Sequence, residues 1–146
     1  MKRPLLLAAL SLSVLFPAGA LGQAEEPVLT GHAAIERIIG NTMVLAPTTP
    51  LPTVSVKSFI YFSPDGRAAM QITASSQADK EERAENEAGN WSIDDQERLC
   101  VVEEGTTLRE QDCIGVRVTG NTVHSVPEDI FDGATATLLE GNPREL

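Results

Sequence analysis

"VSVKSFIYFSPDGRAAMQITA", residues 54–74, decides the fold. Val54, Val56, Ile60 and Phe62 alternate along its first half, with Ser58 interrupting them, and Ala68, Met70, Ile72 and Ala74 alternate along its second. A period of two is the mark of a half-buried strand. Between the halves, "SPDG" is turn chemistry: proline presets φ, and Asp-Gly makes the tight return. Pairing Phe62 with Ala68 sets Ile60 against Met70 and Val56 against Ala74. Both apolar sets then share one face, as a hairpin with a buried side requires.

The same pattern continues on both sides. Upstream, "TGHAAIERIIGN" reads as one short helix, with Thr30 as N-cap, a stripe of Ala34, Ile35, Ile38 and Ile39, and Gly40 at the C-cap. A helix this short holds only when its stripe docks on something, here a sheet. "NTMVLA" is a strand and "PTTPLPT" a proline-punctuated loop. Downstream, "SSQADKEERAENEAGN" has no apolar residue larger than alanine and reads as a solvated loop or frayed helical turn. Lys80 and Arg83 interrupt its acidic residues, which lack the spacing of a calcium loop. "WSI" and "RLCVV" form a second hairpin around "DDQE", with Trp91 and Ile93 facing Val101 and Leu99. "DCIGVRVTGNTVHSV" adds two strands around the turn at Gly120 and Asn121, and "ATATLLE" a last one. The fold class is therefore mainly β: a single small antiparallel β-barrel or barrel-like sandwich of seven to eight strands, with one short N-terminal docking helix.

Compartment is legible at the N-terminus. Lys2 and Arg3 precede an apolar run over residues 5–16, which is of signal-peptide length and short for a bilayer span. Pro17 and Gly19 follow, then small residues suited to cleavage after Ala20 or Gly22. The division expected is a signal peptide over residues 1–22 and one β-barrel-like domain over 23–146. The product is expected in the periplasm or secreted, with no membrane insertion after cleavage. The formal net charge is −10, and losing Lys2 and Arg3 takes it to −12. Such an acidic protein is repelled by nucleic acid and by anionic membrane surfaces, so no nucleic-acid partner is expected.

The two cysteines follow from compartment and register. In an oxidising compartment two cysteines ordinarily pair. If Leu99 sits opposite Ile114 on the core face, Cys100 falls opposite Cys113, within reach of a disulfide. The small ring they close would stabilise the fold by roughly 3 kcal/mol. In that register Arg117 faces His124, away from Val116 and Val118.

Catalytic motifs are lacking. The sequence holds no G-x-S-x-G, H-E-x-x-H, Walker loop, C-x-x-C or Rossmann fingerprint. His32 and His124, the two histidines, are too few and too far apart to make a zinc set by themselves. His124 and Ser125 are neighbours on a strand, so they point to opposite faces and form no dyad. The expectation is a non-enzymatic protein with no metal and no cofactor. Phe59 and Tyr61 lie on the face opposite Ile60 and Phe62, a sign of a ligand or partner surface. Phe59, Tyr61, Trp91 and Arg117 are the candidate contacts for a small, partly apolar ligand. The alternative is a periplasmic accessory role with no ligand, through contacts of a sheet edge or the helix with an envelope protein.

The order of motifs also carries a resemblance. It runs "IIGNTMV", "YFSPDGRA", an acidic gap, "GNWSIDDQERLC", a second Cys before "IGVRVTGNTV", and "LLEGNP". This resembles a family of small exported proteobacterial proteins of unknown function, across nearly all of residues 23–146. The resemblance implies a calycin-type, lipocalin-like barrel without an assigned activity. It also implies structural roles for Gly89, Trp91, Leu99, Cys100 and Cys113. Asn90 departs from the pattern, where a small or hydroxyl residue commonly precedes the tryptophan.

Overall fold

A computed structural model of the chain describes residues 24–49, 51–76, 78, 82–131 and 133–146. The expected signal peptide over residues 1–22 lies outside the described residues. The elements follow the alternation read above. β1 (Val28–Thr30) leads directly into α1 (Gly31–Ile38), then β2 (Thr42–Pro47), β3 (Val54–Phe62), β4 (Arg67–Ser76) and β5 (Glu82–Ile93). β6 (Leu99–Glu103), β7 (Cys113–Thr119), β8 (Thr122–Val126) and β9 (Ala134–Leu139) complete the chain, with single 3-10 turns at Glu110–Asp112 and Glu128–Phe131.

All pairings are antiparallel. Their order, β7-β6-β5-β4-β3-β2-β9-β8 and back to β7, closes an eight-stranded barrel, with β1 added on β7. The choice between barrel and sandwich is thereby resolved. The hairpin register is the one the alternation demands: Phe62 opposite Ala68, Ile60 opposite Met70, Val56 opposite Ala74. Trp91 faces Val101, Leu99 faces Ile114, and Arg117 faces His124.

Closure is uneven around the ring. β6 joins β7 through two residue pairs, Leu99 with Ile114 and Cys100 with Cys113. Farther along β7, the same edge is taken by β1, with Thr30 opposite Arg117. Cys100 and Cys113 are bonded as a disulfide, with Cα atoms 3.9 Å apart. This bond is the covalent part of the narrow seam.

One end of the barrel holds the core. Ala34, Ile35 and Ile38 of α1 are fully buried among Met43, Phe62, Leu99, Val118, Val123 and Leu138. Burial of each of these isoleucines contributes roughly 1.5–3 kcal/mol, which is what holds an eight-residue helix that would not survive alone. Thr30 stands at the N-cap without a side-chain hydrogen bond, so its capping role is not realised. Gly40 has φ +79°. It ends the helix and donates from its N–H to the Phe62 carbonyl at 2.7 Å, tying α1 to the end of β3.

The acidic stretch departs from its reading as a loop or helical turn. From Glu82 onward it is β5, paired with β4 from Arg67–Asn90 to Ser75–Glu82. Its residues have low strand propensity, but the long β4 edge supplies a main-chain template that overrides it. Nearly all the side chains of this segment are exposed, so no apolar alternation marks it in the sequence.

The residues after β9 fold back onto the barrel. Thr42 donates its hydroxyl to the Gly141 carbonyl at 2.7 Å, and the Gly141 N–H donates to Asn41 Oδ1 at 3.0 Å. Arg144 then reaches over the outer face, 4.3 Å above the Phe59 ring, and pairs with Glu82 at 2.8 Å.

Candidate functional site

Strand lengths position the site. β3, β4 and β5 have 9, 10 and 12 residues, against 5–7 in β6 to β9. The three long strands therefore outrun their neighbours at the end away from α1, and their inner face is left partly uncovered there. Ile60, Ala68, Met70, Gly89 and Val101 floor a depression of about 210 Å³, with Glu87 and Glu103 at its rim. Val101 keeps 38% of its exposure, although it shares the core parity of Leu99. Ile60, at the inner limit of the floor, packs against the core.

Gly89 is the reason β5 and β6 approach so closely here. A Cβ at that position would collide with the Val102 carbonyl oxygen. The floor thus combines side chains of three strands with a stretch of bare backbone, and two carboxylates stand beside it. Such a surface suits a partly apolar molecule with a neutral or positively charged group.

The four candidate residues are not brought together. Phe59 is 9% exposed on the outer face, under Arg144. Tyr61 is on the same outer face, between Thr42 and Ala69. Trp91 points inward against the core, and its indole N–H donates to the Ser63 carbonyl at 2.7 Å. Arg117 lies on β7 beside His124, paired with Glu128 at 2.8 Å. Phe59 and Tyr61 stand out in the sequence because they lie off the core face. The uncovered floor is on the core face itself, so the alternation gives Ile60, Met70 and Val101 as filling, and nothing in the sequence marks Glu87 and Glu103. Their parity was legible; the uneven strand lengths that expose them were not.

Three further depressions stand out among the described residues. One of about 320 Å³ lies between the ends of β2 and β4 and the start of β3, and includes Leu51 and Val54. One of about 390 Å³ lies between the C-terminal residues and the outer side of β4 and β5. The third, about 230 Å³, lies between β8 and β9, where pairing stops at Val123 with Ala136. Ser125 borders it, with its hydroxyl enclosed and lacking a hydrogen-bond partner.

Among the described residues, the cluster with metal-ligand donors is Asp94, Cys100 and Cys113. Both sulfurs are committed to the disulfide, so no thiolate is available to a metal. Burial pushes the Asp94 carboxyl upward, but hydrogen bonds from the Arg98 backbone and guanidinium and the Gln96 N–H prevail and hold it below its ordinary value. Asp112 is likewise lowered by Arg109, and Asp65 by the Ser63 hydroxyl. His32 meets Glu36 at 3.2 Å on the exposed side of α1, far in the chain from His124. No helix among the described residues is long and apolar enough to cross a membrane. A disulfide of this kind persists outside the reducing cytoplasm. No protein-family model matches the chain, and neither a curated protein nor a solved structure matches it.

Proposed function

We propose that the chain is an exported, non-enzymatic protein of the cell envelope, periplasmic or secreted, that binds a small, partly apolar ligand. The observation that carries this reading is the uncovered floor of Ile60, Ala68, Met70 and Val101 at the open end of a barrel whose other end is filled by α1. Small barrels commonly hold ligands at their mouths. The ligand's apolar part lies on Met70 and Val101, and a neutral or cationic group lies toward Glu87 and Glu103. The signal-like residues 1–22 and the disulfide support export. The resemblance to a calycin-type exported family supports the same reading.

Native mass spectrometry of the protein recovered from its own host tests it. A bound small molecule is expected, lost on denaturation and lost in Met70→Trp, which fills the floor. A bare mass, or an adduct that Met70→Trp leaves in place, overturns the reading.

A further inference from the structure

β5 is paired on both sides for only part of its length. β4 accompanies it from Glu82 to Asn90, but β6 joins it only from Gly89 to Ile93. Among the described residues no strand pairs with the other edge of Glu82–Glu87, and residues 82–88 are all exposed. The direction of the free groups follows from one hydrogen bond. The Ala88 carbonyl accepts from the Glu104 N–H, so Ala88 turns its main chain toward the β6 side. In an antiparallel ladder this direction alternates. Asn86, Ala84 and Glu82 therefore present three N–H donors and three carbonyl acceptors along an open edge.

Exposed edges of this kind template pairing with another chain unless something prevents it. Here the side chains discriminate between partners. Glu85 and Glu87 lie on the inner side of the edge beside Arg83, with Glu103 on the adjacent strand and Glu104 beyond it, so carboxylates outnumber the single guanidinium. A strand carrying Lys or Arg opposite Glu85 and Glu87 is attracted by both carboxylates, whereas a second copy paired antiparallel about Ala84 sets Arg83 against Glu85 and offers no cation to Glu87.

We propose that the Glu82–Glu87 edge of β5 is a docking site for an extended basic segment of another protein, added as a further strand in line with β6. Main-chain hydrogen bonds to Glu82, Ala84 and Asn86 hold the segment, and its alternate basic side chains meet Glu85 and Glu87. This site rests on the strand edge and not on the apolar floor, and it shares Glu87 with the ligand reading.

The test is a titration of the mature protein with acetyl-Thr-Lys-Val-Lys-Val-Lys-Thr-amide, followed by fluorescence polarisation and residue-resolved amide exchange. Slowed exchange at Glu82, Ala84 and Asn86 is expected. Ala84→Pro, which removes a donor on the open side only, should weaken binding at least tenfold. Glu85→Lys with Glu87→Lys should weaken it similarly and admit the peptide with Glu in place of Lys. Unchanged exchange at the three amides, or an affinity in Ala84→Pro or in the charge-reversed variant equal to that of the parent protein, overturns the proposal. Pairing of two copies along this edge, seen by sedimentation as a dimer that Ala84→Pro abolishes, also overturns it. Neither result bears on whether a small molecule occupies the floor, which Met70→Trp reports separately.

Discussion

Cys100 and Cys113 face each other directly across one of the two narrow seams of the barrel, which like that of β8 with β9 rests on two residue pairs. One backbone pair lies beside them, Leu99 with Ile114, and beyond it β1 replaces β6 along β7. The disulfide therefore does more than shorten a loop. It joins the hairpin of β5 and β6 to the strands that carry the helix and the second half of the ring, at a place where backbone pairing is thin.

Reducing this bond should lower stability by about 3 kcal/mol, the amount expected for a closed loop of this length. The cysteines are 13 positions apart. The loss should be read from urea midpoints of the oxidised and reduced protein. Cys100→Ala with Cys113→Ala should match the reduced form. Amide exchange should accelerate first at Ile114 and Leu99, because no other pairing secures them to each other. Uniform acceleration around the barrel would contradict this account of the seam.

The contact of Thr42 and Asn41 with Gly141 gives a second expectation. Thr42 is fully buried, and its hydroxyl is bonded to the Gly141 carbonyl. Thr42→Val keeps the shape and removes the bond, leaving a half-buried carbonyl short of a partner. A loss of about 1–3 kcal/mol is expected. Arg144 should also leave Phe59, since the residues between them are anchored through Gly141. Solvent exposure of Phe59, followed by its ring NMR signals, checks the second part.

Much of the barrel was legible because its hairpins are local and carry apolar alternation. The register of Phe62 with Ala68 follows from parity and the turn between them, and that of Cys100 with Cys113 from parity and the pairing of two cysteines in an oxidising compartment. β5 was hidden because its first residues are exposed and acidic, so nothing in them favours a strand over a loop. Closure was hidden because β2 meets β9 across most of the chain, and no short-range pattern encodes that. The candidate contacts are scattered for a related reason. Phe59 stands off the core face, which marked it as available, yet Arg144 covers it from the far end of the sequence. Met70 and Val101 share the core face, yet β7, β8 and β9 on the far side of the ring are too short to cover them.

Gly89 makes the close approach of β5 to β6 possible. Gly89→Ala should separate these strands, because the obstacle is the Val102 carbonyl in the backbone and not the end of a flexible side chain. Overpacking of this kind costs roughly 1–3 kcal/mol. The hydrogen bond from Glu104 N–H to the Ala88 carbonyl should weaken with it. A thermal midpoint equal to that of the parent protein would refute the steric account.

Asp94 sets an acid limit on the same hairpin. Its carboxylate accepts from the Gln96 and Arg98 backbone N–H groups at 3.0 and 2.8 Å, and from Arg98 Nε at 2.6 Å. Burial opposes ionisation, but these bonds outweigh it, and the folded protein holds the carboxyl below its ordinary value. A group whose folded pKa is depressed stabilises the fold above its unfolded pKa and loses that contribution as pH falls through the folded value. The contribution should therefore be constant at neutral pH and disappear below about pH 4. Asp94→Asn removes the titration while keeping the shape. The parent should be the more stable protein at pH 7, and the two urea midpoints should converge as the pH is lowered past this range. A gap that stays constant down to pH 2 would mean that the turn is held by shape alone, without help from the charge on Asp94.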